Sequence, residues 1–324
     1  MCTAITFQGE SFYFGRTLDV TCGYRETVAV TPRHFPFPFR FAEALQSHFA
    51  IIGMATVAEG LPLYYDAMNE KGLCMAGLRF PLYADYQPQS VEKNNIASFE
   101  LIPWILGQCD TVAAARELLE NTCLVKEEFS TQLPSEPLHW MLTDKTACMV
   151  FEVEKDGMHL YENTVGILTN SPTFPMQMSR LSDFMQLSRE EPHNALLPNV
   201  DLQMYSRGMG AIGLPGDWSS ASRFVRAAFV RGNAFPFGEE AKDVGQFFHI
   251  LDTVGQVYGC VRVGTEGFEN TVYTSCCNAS NGIYYYTMYS NRAITGVDMH
   301  KTDLNGNTLH LFPLETQERI CMQN

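Results

Sequence analysis

Apolar and polar positions alternate with a period of two over residues 3–7, Gln8-Gly9-Glu10 supplies turn residues, and Ser11-Phe12-Tyr13-Phe14-Gly15-Arg16 is aromatic and strand-like, so the chain is predicted to open as a β-hairpin. Residues 27–31 predict a third strand, followed by a Pro- and Phe-rich loop over 34–41. Further strands are expected at 50–57 and, after the turn signal Asn69-Glu70-Lys71-Gly72, at 73–78. The period then changes to that of a helix over 99–106 and 111–120, the second with Val112, Ala115 and Leu119 on one face and Thr111 or Asp110 as its cap. Strands return at 140–143, 147–152 and 159–161, and helices at 222–230 and 240–257. A closing meander is expected from 271–277, 283–289 and 293–298, turning once at Asn281-Gly282. Runs of strands and helices without strict βαβ alternation predict an α+β layered fold rather than a doubly wound parallel sheet. No repeat, low-complexity segment or composition break marks a linker, so 324 residues read as one domain.

Composition narrows the function. The 22 Lys+Arg against 36 Asp+Glu give a net charge of −14, which argues against a nucleic-acid partner, whose phosphates the surface would have to neutralise. No stretch approaches about 18 consecutive apolar residues, so no membrane span is expected. The first ten residues carry neither a basic nor an apolar signal region, so the chain is expected to be cytoplasmic and its thiols mostly reduced. Its ten cysteines include no C-x2-C pair and no zinc-type His spacing; no metal is expected, and all but Cys2 read as small buried hydrophobes.

Cys2 is the sharpest chemical signal. Removal of an initiator Met requires a small next residue, and a mature chain beginning at Cys2 would carry an α-amine and a thiol on one residue. An α-amine titrates at about 7.7–8.0, close enough to neutrality to act as a base, whereas a thiol near 8.5 needs a neighbouring cation to become substantially thiolate. In Phe14-Gly15-Arg16-Thr17-Leu18-Asp19, Arg16 can supply that cation and Asp19 can hold the amine. The two are three positions apart, so a regular strand points them to opposite faces, and both meet one site only if the chain bulges or turns after Gly15. Gly208-Met209-Gly210-Ala211-Ile212-Gly213 has the spacing of a dinucleotide loop, but Leu214-Pro215-Gly216 would interrupt the helix such a site needs. Asp217-Trp218-Ser219-Ser220-Ala221-Ser222 supplies caps for a helix whose first turn carries Arg223, a cation at an unfavourable end; either it has a function or it pairs with Asp217.

Assembled, these residues resemble the choloylglycine hydrolase family of N-terminal-nucleophile amidases, which includes bile salt hydrolases and penicillin V acylases. The likeness runs nearly end to end. It is carried by Met1-Cys2-Thr3, the segment 14–19, Tyr65-Asp66-Ala67-Met68-Asn69-Glu70-Lys71-Gly72-Leu73, Leu168-Thr169-Asn170-Ser171-Pro172-Thr173-Phe174, and the segment 213–225. The resemblance implies a four-layer αββα sandwich and a Cys2 that, once N-terminal, attacks an amide carbonyl with its own α-amine as base. It implies that Arg16 lowers the thiol pKa, Asp19 orients the amine, Asn170 donates to the oxyanion and Arg223 completes the network, without a cofactor. It also implies Leu18 and Tyr65 as substrate contacts, a conjugated bile salt as substrate and a homotetramer. Apolar loops at 35–41 and 61–65 are expected to line a steroid pocket.

One position departs from the pattern: Arg79 stands where bile salt hydrolases typically have Asn and penicillin V acylases typically have Tyr nearby. Either its backbone N–H serves the oxyanion, or its side chain replaces the amide, or it binds the acidic end of the leaving group. The departure leaves open penicillin V or another N-acyl amino acid as substrate, and a family member that binds acyl amides without turning them over.

Overall fold

A computed structural model describes residues 1–324. The chain opens with β1 (Cys2–Gln8), β2 (Phe12–Val20), β3 (Thr27–Thr31), β4 (Ile51–Ala58), β5 (Leu61–Asn69) and β6 (Cys74–Arg79). Then β7 (Asn94–Ala97) leads through a single 3-10 turn into α1 (Leu101–Gln108) and α2 (Val112–Glu120). After β8 (Thr122–Val125) come β9 (Leu138–Thr143), β10 (Cys148–Glu154), β11 (Gly157–Glu162) and the short β12 (Ile167–Leu168). The helices α3 (Phe174–Leu181), α4 (Ser220–Asn233) and α5 (Glu240–Asp252) precede β13 (Val261–Val263), β14 (Gly267–Asn278), β15 (Ile283–Met288), β16 (Asn291–Asp298) and β17 (His310–Pro313).

Two antiparallel sheets result. The first runs β12-β1-β2-β14-β15-β16, with β13 on β14, and the second runs β11-β10-β9-β6-β5-β4-β3-β17. They pack face to face, α1 covers the outer side of the second, and α4 and α5 cover the outer side of the first, which is the αββα order. Because both sheets are covered on both sides, their central strands are buried throughout: every residue of β2 before Val20 is buried, including Arg16, Thr17 and Asp19. Helix α2 forms as its pattern predicts, burying Val112, Ala115 and Leu119, and Thr111 is the cap, accepting from the Ala114 N–H.

Several expectations need correction. Helix α5 stops at Asp252, short of 257, and α1 starts two residues late because 98–100 is a 3-10 turn. Residues 61–65, expected as a loop, begin β5, and α3 was not foreseen because Pro175 reads as a breaker, although Pro is favoured in a first helical turn. The Phe-rich segment 35–41 contributes no residue to the cavity that contains Cys2. Its Phe35 and Phe37 are buried in the core beneath α1, where Phe37 packs on His48. Nor are the nine remaining cysteines all buried: Cys22, Cys260 and Cys321 are exposed. Gly208 takes a left-handed φ of 78° before one 3-10 turn, and no helix follows Gly213, so the dinucleotide reading stays excluded.

Candidate active site

Cys2 begins β1 opposite Leu18, and Ala4 lies opposite Arg16. Residues directly opposed in an antiparallel ladder share a face, so Cys2, Arg16 and Leu18 all point toward the second sheet. The Arg16 guanidinium crosses to it, with Nη1 donating to the Gly77 carbonyl at 2.6 Å, Nε to that of Thr17 at 3.1 Å, and Nη2 to Cys2 Sγ. Burial works against its charge, but Cys2, Tyr273, Asp66 and Asp19 outweigh burial and raise its pKa above the ordinary value. A cation fixed on the sulfur is the environment that favours a thiolate.

Behind Arg16 lies a carboxylate to which the sequence reading assigned no role. Met54 pairs with Asp66 and Ala55 with Tyr64, so Tyr65 is an extra residue in β5. Such a bulge lets Tyr65 and Asp66 both face the first sheet. Asp66 accepts from Tyr273 Oη at 2.6 Å, Tyr284 Oη at 2.7 Å and Ser275 Oγ at 2.8 Å. Burial pushes its pKa up, against the pull of Arg16 and the three hydroxyls. Ser275 Oγ also accepts from the Arg16 backbone N–H at 3.1 Å, tying the cluster to the strand that presents the cation.

The other face of β2 meets the helices. Asp19 accepts from Thr271 Oγ1 at 2.7 Å and Thr17 Oγ1 at 3.2 Å, and lies 4.0 Å from Arg223 Nη1. Arg223 donates to the Cys2 carbonyl, to Thr3 Oγ1 at 2.6 Å and to Asn170 Oδ1 at 2.7 Å. It does not pair with Asp217, which instead accepts from Ser219 N at 2.9 Å and Ser222 Oγ at 2.6 Å at the start of α4. The unfavourable cation at this helix end is therefore held by the chain terminus and Asn170. Burial pulls the Arg223 pKa down, while Asp19, Cys2 and Glu269 oppose it.

Asn170 joins several groups. Its Oδ1 also accepts from the Cys2 N–H at 2.8 Å, and its Nδ2 donates to the Arg79 carbonyl at 2.8 Å. An amide nitrogen has two hydrogens, so one remains for another acceptor. The segment is fixed from behind by buried His139, whose Nε2 donates to the Thr169 carbonyl at 2.9 Å and whose Nδ1 contacts Glu152 at 2.8 Å. The Met1 amine donates to the Asp19 carbonyl and pairs with Glu269 at 3.1 Å.

The parity problem is thus resolved without a bulge in β2, whose pairing with β1 is unbroken from Cys2↔Leu18 to Gln8↔Phe12. Arg16 and Asp19 do point to opposite faces: Arg16 meets the Cys2 sulfur, whereas the Asp19 carboxylate lies beside Arg223, which bonds the Cys2 carbonyl. The irregularity lies in β14, where Val272 is extra, so that Thr271 opposes Asp19 and Tyr273 opposes Leu18.

A cavity of about 340 Å³ opens onto Cys2, which is only 1 % exposed. Leu18, Val20, Leu63, Tyr65, Phe129 and Leu133 contribute its apolar wall. Of the expected residues, Cys2, Arg16, Asp19, Asn170 and Arg223 form one network, Leu18 and Tyr65 line the cavity, and the Arg79 side chain lies on the wall beside Glu136. Asp66 could have been found as a lone acid in the apolar run of β5, since a buried charge must be paired. Glu136, between Ser135 and Pro137, carries no such signal.

A thiol on the second residue, held by an Arg between two sheets that are each backed by helices, defines the architecture of an N-terminal-nucleophile hydrolase. The family profile described as linear amide C–N hydrolases, choloylglycine hydrolase family, matches residues 2–312, and the chain belongs to that family. It is 47% identical over 324 residues to the bile salt hydrolase/transferase of Lactiplantibacillus plantarum, covering 100% of each chain. A variant of conjugated bile acid hydrolase from Clostridium perfringens superposes with a TM-score of 0.92 at 33% identity, with 100% of each chain covered. Penicillin V acylase from Agrobacterium tumefaciens shares the fold, with a TM-score of 0.77 at 20% identity over 97% of this chain and 92% of that one.

Proposed function

We propose that this chain hydrolyses the amide bond of glycine- or taurine-conjugated bile salts, with Cys2 as nucleophile after removal of Met1. The observation that carries this reading is the Cys2 thiol at the floor of an apolar cavity with the Arg16 guanidinium on its sulfur, in a chain 47% identical to a bile salt hydrolase/transferase. The steroid half of the substrate suits the apolar wall, with Leu18 and Tyr65 among its contacts. The thiol sulfur attacks the amide carbonyl while the α-amine of Cys2 takes the thiol proton. The free Asn170 Nδ2 hydrogen is available to the oxyanion, and a preorganised donor there is worth about 3 kcal/mol of barrier. Collapse breaks the C–N bond, the proton passes to the leaving amine, and a thioester on Cys2 remains. Water then attacks the thioester, giving the bile acid and restoring the thiol. Arg16 holds the sulfur, and Asp19 and Arg223 hold the chain end.

The test is a substrate panel. Release of glycine or taurine from cholyl conjugates is expected to exceed release of 6-aminopenicillanic acid from penicillin V, and no amino-acid release from the conjugates would overturn the reading. Cys2→Ala is expected to abolish turnover and the acid-trapped thioester. Intact mass should show active protein without Met1.

A homo-oligomer, a tetramer by family likeness, and a cytoplasmic location belong to the same proposal. No helix is long and apolar enough to cross a membrane. Exposed Met185, Leu196, Tyr205 and Ile212 along one extended segment support self-association, which light scattering would measure.

A further inference from the structure

Arg79 and Glu136 form an ion pair on the wall of the cavity that ends at the Cys2 thiol, with Arg79 Nε 3.1 Å from Glu136 Oε2. Their side chains are 49% and 45% exposed, so the pair is open to the cavity rather than sunk in the core. The contact is not an aligned hydrogen bond, because Oε2 is shielded from solvent yet receives no directed donor. Arg79 therefore presents a fork of N–H groups whose one ionic partner in the chain is poorly oriented, which is unused capacity in a side chain shaped for bidentate carboxylate binding.

The backbone that carries this fork is held in place. A single side chain, Asn170, bonds both the Arg79 carbonyl and the Cys2 nitrogen, and Phe80 next to Arg79 stacks on His139 with ring centres 4.3 Å apart. The Arg79 backbone is thus one Asn side chain away from Cys2, and Arg79 and Cys2 line the same cavity. The other lining cation, Arg16, is buried and committed to Cys2, Thr17 and Gly77.

We infer that Arg79 and Glu136 form an exchangeable latch that selects an anionic leaving group. The carboxylate or sulfonate of the amine half of the substrate takes the place of Glu136 on the Arg79 guanidinium, and Glu136 competes with it. This rests on amide hydrolysis at Cys2 as proposed above, and adds to it the residue that selects the leaving group and the residue that opposes it. No bond is made or broken in the exchange.

Cholylglycine and cholylglycinamide differ at the leaving group only in that charge, so they separate the latch from the rest of the pocket. Arg79→Gln is expected to raise KM for cholylglycine about tenfold, the usual size of a lost charge-assisted hydrogen bond, while KM for cholylglycinamide moves less than about twofold. Glu136→Gln is expected to lower KM for cholylglycine about threefold by removing the competitor. Equal changes for the two substrates, or a loss confined to kcat, would overturn the latch. Calorimetry of both ligands on Cys2→Ala protein, with and without Arg79→Gln, reads the same preference without turnover. If the unaltered chain cleaves neither amide, the proposed function falls while binding still decides the latch, and binding without a charge preference, or no binding at all, sinks it.

Discussion

The face of β2 that carries Arg16 and Leu18 meets the second sheet, whereas the face that carries Thr17 and Asp19 meets α4 and the segment after α5. Both faces are buried and both hold a charge, but they treat it differently. On the sheet side Arg16 is bonded to carbonyls and to the Cys2 sulfur, with Asp66 behind it as the compensating charge. On the helix side Asp19 is fixed by hydroxyls and lies beside Arg223, and Arg223 holds the Cys2 carbonyl, the Thr3 hydroxyl and the Asn170 amide. One face contacts the thiol and the other holds the main chain of the residue that bears it. A single regular strand can do both because its alternation separates the two environments by one residue.

Substitutions on each face test that division. The largest effect is expected from Arg16→Leu: kcat/KM should fall about 10³-fold, within the range of a positioned charge or proton-transfer group, and iodoacetamide alkylation of Cys2 should slow. Asp66→Ala, which leaves Arg16 without its buried counter-charge and three hydroxyls without an acceptor, should cost about 3–5 kcal/mol in urea unfolding. On the opposite face, Asp19→Asn should cost about 1–3 kcal/mol and lower turnover while slowing alkylation far less than Arg16→Leu does. Equal slowing of alkylation by Asp19→Asn and Arg16→Leu would break the comparison.

The smallest effect belongs to the end of the helix that delivers Arg223. Hydrogen bonds from Ser219 and Ser222 pull the Asp217 carboxyl down to about 2. Its folded value lies below the unfolded value of about 3.9, so its contribution to stability is present above pH 4 and is lost as the pH falls from about 4 toward 2. Asp217→Asn should remove that contribution, lowering thermal stability slightly near neutrality and flattening its fall between about pH 4 and 2, where the two proteins converge.

How much of this was legible beforehand varied by residue. The hairpin of β1 and β2, the amphipathic face of α2 and the meander of β14 to β16 followed from period and turn residues. Strand β5 and helix α3 did not, because a twice-covered strand loses its alternation and a proline at a helix start resembles a stop. The site divided in the same way. Cys2, Arg16 and Asp19 were visible because the chemistry of a chain-terminal thiol singles out a nearby cation and carboxylate, and Arg223 was visible as a cation at an unfavourable helix end, whereas Asn170 and Arg79 came only through family likeness.

What the sequence by itself determined was the identity of the reacting group and the opposite facing of Arg16 and Asp19, since both follow from local chemistry and from a strand period of two. Tertiary structure decided how the two could serve one residue. The bulges at Tyr65 and Val272 lie in strands far along the chain from β1, and they bring Asp66 behind Arg16 and Thr271 onto Asp19. The partnership of Arg79 with Glu136 was decided in the same way, by a loop and a strand that only folding brings to one wall. Such pairings depend on register between distant strands, and register is fixed only when the apolar pattern of each strand is matched to the face it buries against its neighbours.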